Sequence, residues 1–206
     1  ATDNPDNWSP LTSLIAAVNY TGAPNYESQV RTWMDLPNFL RPVITHHICG
    51  SWDSYAYQRG KNMYAYKPDD EPWRLLMWDI ELALGAGGNG ATDDIYNMFD
   101  TVLRNMILNN PAFHREYLRG FQEALDGPLL PGAADALLDE RYASFQQNNV
   151  PLISPQFIKS SDGSWLGTSA CIERITAMSS MCLAVWAKSS LTSIPLSPYF
   201  WNLKGE

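Results

Sequence analysis

Apolar residues recur at helical spacing from the start of the chain. Leu11, Leu14, Ile15 and Val18 follow Ser9-Pro10, an N-cap with proline at the first helical position, and Gly22 with Pro24 ends the run. A second helix is expected from about Tyr26 to Met34. A third begins after Asp35, carries Leu36, Phe39, Leu40, Val43, Ile44, His47 and Ile48 on one broad face, and stops near Gly50. The period then changes. Met63 to Lys67 and Trp73 to Trp78 are short runs rich in aromatic and aliphatic residues, and the turn cluster Pro68-Asp69-Asp70-Glu71-Pro72 lies between them, so the pattern predicts a β-hairpin. Gly85 to Gly90 reads as a flexible loop.

Helical spacing returns over Asp94 to Leu108, with Ile95, Met98, Phe99, Val102, Leu103, Met106 and Ile107 and with Thr92 or Asp93 as cap. Asn110-Pro111 opens the next helix, which bears Phe113, Tyr117, Leu118, Phe121 and Leu125 and closes at Gly127-Pro128. Another is expected near Ala133 to Gln146, and Ser154-Pro155 would cap a short one. These elements predict a mainly α, α+β fold with one small hairpin.

Composition narrows the partners. The chain has 206 residues and a net charge of −8, long enough for one large domain or a piece of a larger protein. With no run of Lys or Arg there is no footprint for a phosphate backbone, so nucleic acid is a poor partner. No apolar stretch is long enough to span a bilayer. The chain opens at Ala1 without a Met or a signal-peptide pattern, which suggests an internal fragment. Cys49, Cys171 and Cys182 match no metal knuckle or redox pair and read as buried thiols, with a Cys171–Cys182 bridge as the alternative. His46 and His47 are adjacent on a helix and point about 100° apart, so they read as core or surface histidines. From Ser160 onward 13 of 47 residues are Ser or Thr, against 14 of 159 before, so residues 160–206 are set apart as a separate segment, an unusual tail or a non-native reading frame.

The chemistry concentrates between Gly50 and Gly85. Asp53 follows a helix, Asn62 stands at the mouth of the hairpin and Asp79 at its far end. A hairpin returns the chain to its origin, so Asn62 and Asp79 are expected close in space. An amide oxygen and a carboxylate there are hard ligands of the kind Mg²⁺ takes. Asp53, arriving from the preceding loop, has the chemistry to receive a proton from an attacking hydroxyl. The plainer alternatives are a loop cap for Asp53 and a turn role for Asn62, while a carboxylate after an apolar strand is costly unless paired or liganded. Arg59 and Lys61 are basic candidates for phosphate, with a flexible basic loop as the alternative. Glu81 lies two residues beyond Asp79, on the same side if the chain is extended.

The order helix, Asp, Asn, hairpin, Asp, glycine-containing loop is that of the catalytic parts in the large lobe of protein kinases. The window is similar to the CotH family of atypical, kinase-like spore coat proteins, whose pattern is matched by Trp52, Asp53, Ser54, Tyr55, Lys61, Asn62, Tyr64, Tyr66, Trp73, Trp78, Asp79, Glu81 and Gly85. The segments Trp33 to Arg41 and Phe113 to Leu129 also resemble that family, so the kinase-like large lobe is expected over residues 1–159. The resemblance implies transfer of the ATP γ-phosphoryl group to a Ser/Thr hydroxyl of a protein, with Mg²⁺ or Mn²⁺. It makes Asp53 the aspartate of the catalytic loop, Asn62 and Asp79 metal ligands, with Glu81 where the family often has Asp, and Arg59 and Lys61 the residues beside the nucleotide. Family members are often exported or placed on spore and cell surfaces. The Asp53 to Asn62 spacing is longer than in ordinary kinases, and neither an HRD nor a DFG triplet is present. No small lobe precedes Asp53, so a fragment inactive by itself is expected.

Two other functions compete. One is a non-catalytic, kinase-shaped interaction module of a spore coat or cell surface. The other reads Asp79-x-Glu81 as the metal motif of a nucleotide-sugar glycosyltransferase, which would ordinarily need an upstream parallel α/β unit.

Overall fold

Helix α3 (Leu36–Cys49) forms because its start, its apolar face and its end are each specified locally. Asp35 accepts the Asn38 N–H at 3.3 Å, and Pro37 sits in the first turn, where a missing N–H does no harm. Gly50 ends the helix at φ 67°, a left-handed conformation that a residue with a Cβ adopts only at a cost, and its N–H reaches back to the His47 carbonyl at 3.2 Å. Between those ends, Leu40, Val43 and Ile44 are fully buried. Pro42 inside the helix removes one rung of the hydrogen-bond ladder, which the burial of its neighbours outweighs.

The computed structural model describes residues 6–55, 57, 59–80, 83, 93–98, 100–130 and 132–150. In chain order they form α1 (Ser9–Asn19), α2 (Tyr26–Trp33), α3, β1 (Met63–Tyr66), β2 (Arg74–Met77), α4 (Thr101–Asn109), α5 (Pro111–Leu125) and α6 (Ala133–Gln147). The molecule is therefore mostly helical with one small antiparallel sheet, an α+β arrangement. None of the described helices is long and apolar enough to cross a membrane. The glycine loop at 85–90, the Ser154-Pro155 cap, Cys171, Cys182 and the segment 160–206 lie outside the described residues.

One cluster holds the core together. The buried faces of α3, α4 and α5 meet in it, with Phe113, Tyr117 and Phe121 of α5 at most 2% exposed. Leu14 of α1 and Val30 of α2 join from the other end of the chain, and Leu75 carries β2 into the same cluster. None of the described side chains of α6 belongs to it, and Leu137 is 52% exposed.

Two starts differ from the sequence pattern. At α1 the Ser9 hydroxyl does not cap; it donates to Asn7 Oδ1 at 2.6 Å, and the same oxygen takes the Ser9 N–H. The fourth helix begins at Thr101 instead of Asp94, capped by Asp100, whose Oδ1 accepts from Val102 and Leu103. Residues 94–98 make turns, with Asp94 Oδ1 accepting the Tyr96 N–H at 2.9 Å. Ile95 and Met98 are nevertheless buried, so their helix-like spacing records burial of a folded-back loop.

Truncating the core must hurt where α3 is buried and be tolerated where α6 is exposed. Ile44→Ala is expected to lower the unfolding free energy by about 3 kcal/mol, and Leu137→Ala by no more than about 0.5 kcal/mol, measured by urea titration.

Candidate active site

Gly50 turns the chain off α3 into a tightly wound loop. Ser51 N–H donates to the His46 carbonyl at 2.9 Å, and the Ser54 hydroxyl donates to the Ser51 carbonyl at 2.9 Å. The N–H groups of Tyr57 and Arg59 both turn back to the Ser54 carbonyl, at 3.2 and 3.1 Å. Ser54 is fully buried, so the loop closes around it.

Asp53 sits in this loop, 8% exposed, with two contacts that come from the hairpin mouth. The Lys61 ammonium lies 2.8 Å from its Oδ2. The Asn62 amide Nδ2 donates to the Asp53 backbone carbonyl at 2.6 Å and stands 3.5 Å from Oδ2. A short chain segment thus folds back so that its last residues grip its first carboxylate.

The hairpin does what an antiparallel register requires. Met63 pairs with Met77, Tyr64 with Leu76, Ala65 with Leu75 and Tyr66 with Arg74. Asn62 immediately precedes β1 and Asp79 follows β2 by two residues, so both stand at the open end, as expected. Asn62 has φ 58° and Asp79 φ 55°, left-handed conformations that Asn and Asp tolerate better than most residues. The carboxylate of Asp79 is exposed and makes no hydrogen bond or ion pair among the described residues. The expectation that burial there would demand a partner is therefore not met, because the strand ends at the surface. Among the described residues no hydrogen bond or ion pair joins Asp79 to Asp53 or Asn62.

Alternation sends the two faces of the hairpin to different surroundings. Leu75 faces the core at 4% exposure, while Tyr64, Tyr66, Leu76 and Trp78 remain about half exposed on the other face. The Tyr64 and Trp78 rings meet edge to face at 5.2 Å. Outside the strands, Trp73 anchors the hairpin to the helices. Its N–H donates to the Trp33 carbonyl at 2.8 Å, and its carbonyl accepts from Asp35 at 3.0 Å.

The other sequence candidates have definite places. Arg59 is exposed and lies over the Trp52 ring at 5.0 Å. Glu81 falls outside the described residues. His46 and His47 are both buried in α3, and the His47 ring meets Tyr57 edge-on at 4.8 Å. Among the described residues no three histidine, cysteine or carboxylate side chains converge as a metal cluster. A shallow open cleft of about 330 Å³ at the start of α2, lined by Pro24, Asn25, Glu27, Ser28 and Arg31, shares no residue with this site.

Sequence reasoning passed over Tyr57 and gave Tyr55 no role, although the alternate spacing of two tyrosines after Asp53 was visible. Tyr57 donates its hydroxyl to Asp93 Oδ2 at 2.8 Å, and Tyr55 donates to Asp100 Oδ2. Both carboxylates precede α4, and Asp93, expected as a helix cap, is instead the acceptor for Tyr57.

The fold and site define a mainly helical α+β protein in which a loop aspartate is held by a lysine and an asparagine at the mouth of a hairpin. The family model described as CotH kinase protein matches residues 1–157, and the chain belongs to that family. No curated protein matches it.

Beneath the loop, His46 is 3% exposed, and its Nδ1 has no hydrogen-bond partner among the described residues. Burial pushes its pKa down from 6.5 to about 4, so the folded protein keeps it neutral. An unfolded chain takes up that proton near its ordinary value, so stability is full above about 6.5 and declines as pH falls toward about 4. The decline from this one group is about 3 kcal/mol. Replacing it as His46→Leu is expected to flatten the stability profile by that amount between pH 7 and 4, read by urea melts of both proteins at each pH.

Proposed function

We propose that the chain is the large-lobe part of an atypical protein kinase, transferring the γ-phosphoryl group of ATP to a Ser or Thr hydroxyl of a protein. The hydrogen bond from the Asn62 amide to the Asp53 carbonyl carries this reading, because it joins the proposed base to the proposed metal end of the hairpin. Asp53 accepts the proton of the attacking hydroxyl. Lys61, beside that carboxylate, offsets phosphate charge. Arg59, stacked on Trp52 at the rim of the same loop, is a second cation for the nucleotide.

The donor chemistry suits Mg²⁺ or Mn²⁺. With its Nδ2 engaged by Asp53, Asn62 keeps Oδ1 as an acceptor without a hydrogen bond among the described residues, and the exposed Asp79 carboxylate has none there either. Glu81 is proposed as an auxiliary ligand. A bound divalent cation would neutralise charge on the terminal phosphates during transfer. The exposed face of Tyr64, Leu76 and Trp78 beside these residues offers apolar surface for the base of the nucleotide.

A second reading, a non-catalytic interaction module, draws on the same half-exposed aromatic face, which is also suited to a protein partner. Thermal melts of the full-length protein separate the two. Under the kinase reading ATP with Mg²⁺ at a hundred times Kd adds about 2.7 kcal/mol to stability, and Asp79→Asn abolishes the Mg²⁺-dependent part. Asp53→Asn keeps that shift but lowers kcat by about a hundredfold or more. No shift in the wild-type protein, or an unchanged one in Asp79→Asn, overturns the kinase reading.

A further inference from the structure

Both hydroxyls of the tyrosines after Asp53 are spent on the same stretch of chain. The Tyr57 ring is 1% exposed and wedged against His47 of α3, and its hydroxyl donates to Asp93 at 2.8 Å. Tyr55 donates to Asp100, and the other oxygen of that carboxylate accepts the Val102 and Leu103 N–H groups at 2.8 and 3.2 Å. One carboxylate therefore ties the loop to the first turn of α4. That helix is itself fixed, since Leu103, Met106 and Ile107 lie in the core cluster.

Neither bond is needed to satisfy a helix end or to close the core. An aromatic ring without the hydroxyl would fill the same space, so the polar tips do something else. Two bonds placed two residues apart remove the freedom of a loop to pivot about either one alone, and Asp53 lies just upstream of both. Burial, and then the neighbouring Asp100 carboxylate, push the Tyr55 phenol well above its ordinary pKa, so it remains a donor at any working pH.

We infer that Tyr55 and Tyr57 are positioning residues that lock the Asp53 loop to the chain leading into α4, fixing the carboxylate for the incoming hydroxyl. This rests on the proposed role of Asp53 as base. Reaction rates respond steeply to such placement. The lock also links the loop before the hairpin to chain that follows Asp79, so it spans both sides of the proposed metal end.

Tyr55→Phe and Tyr57→Phe in the full-length protein each remove one oxygen and keep the ring. With ATP, Mg²⁺ and casein as acceptor, each is expected to lower kcat about tenfold while leaving the KM for ATP within about twofold. Amide hydrogen exchange across residues 51–62 is expected to quicken about fivefold, with exchange in α5 unchanged. Asp93→Asn, which keeps an acceptor oxygen, stays near wild type, whereas Asp93→Ala behaves as Tyr57→Phe does. Unchanged loop exchange in both tyrosine variants overturns the lock, as does a quickening spread equally through α5. Quickened loop exchange in a protein whose wild type transfers no phosphate keeps the lock and sinks the kinase reading.

Discussion

The Asn62 amide donating to the Asp53 carbonyl closes a ring of chain that begins at the end of α3 and ends at the first residue before β1. Inside that ring the Tyr57 and Arg59 N–H groups both turn back to the carbonyl of Ser54, a residue sealed from water. Buried backbone polar groups in a loop need partners, and the Ser54 carbonyl serves two of its N–H groups. Everything proposed for the site depends on this closure. It sets Asp53 against Lys61 and accompanies the left-handed conformation of Asn62, whose Nδ2 it engages.

The ion pair between Asp53 and Lys61 contributes differently. The lysine side chain is 58% exposed, so solvent screens the pair and its stabilising effect is at most about 1 kcal/mol. Its value lies in where it puts charge: a cation beside a nearly buried carboxylate, at the rim of a surface with aromatic side chains. The same separation of tasks runs through the site. Shape comes from α3, the Trp73 anchor and the tyrosine bonds, and charge comes from residues at the edge of solvent.

Burial under the loop has an opposite electrostatic consequence. His46 lies beneath the site without contributing charge to it, since desolvation keeps it neutral well below the ordinary histidine range, and His47 is buried beside it. A pair that looks like a metal motif in print is here part of the packed floor.

Helices with a complete set of local instructions were readable from the chain. Leu36–Cys49 has its aspartate cap and glycine stop, Pro111–Leu125 its asparagine cap and proline, and the hairpin its acidic, proline-bounded turn. Asn62 and Asp79 at one hairpin end were also legible, because antiparallel pairing leaves no other place for them. The start of α4 was not legible: Ile95 and Met98 are apolar for the sake of a buried turn, and periodicity does not distinguish that from a helix. Nor was the choice between Asp93 as a cap and Asp93 as an acceptor for a distant tyrosine, since both uses ask for the same carboxylate. Local backbone chemistry therefore determined the elements and their order, while long-range hydrogen bonds, which join residues with no pattern between them, were decided only when the core brought α3, the loop and α4 together.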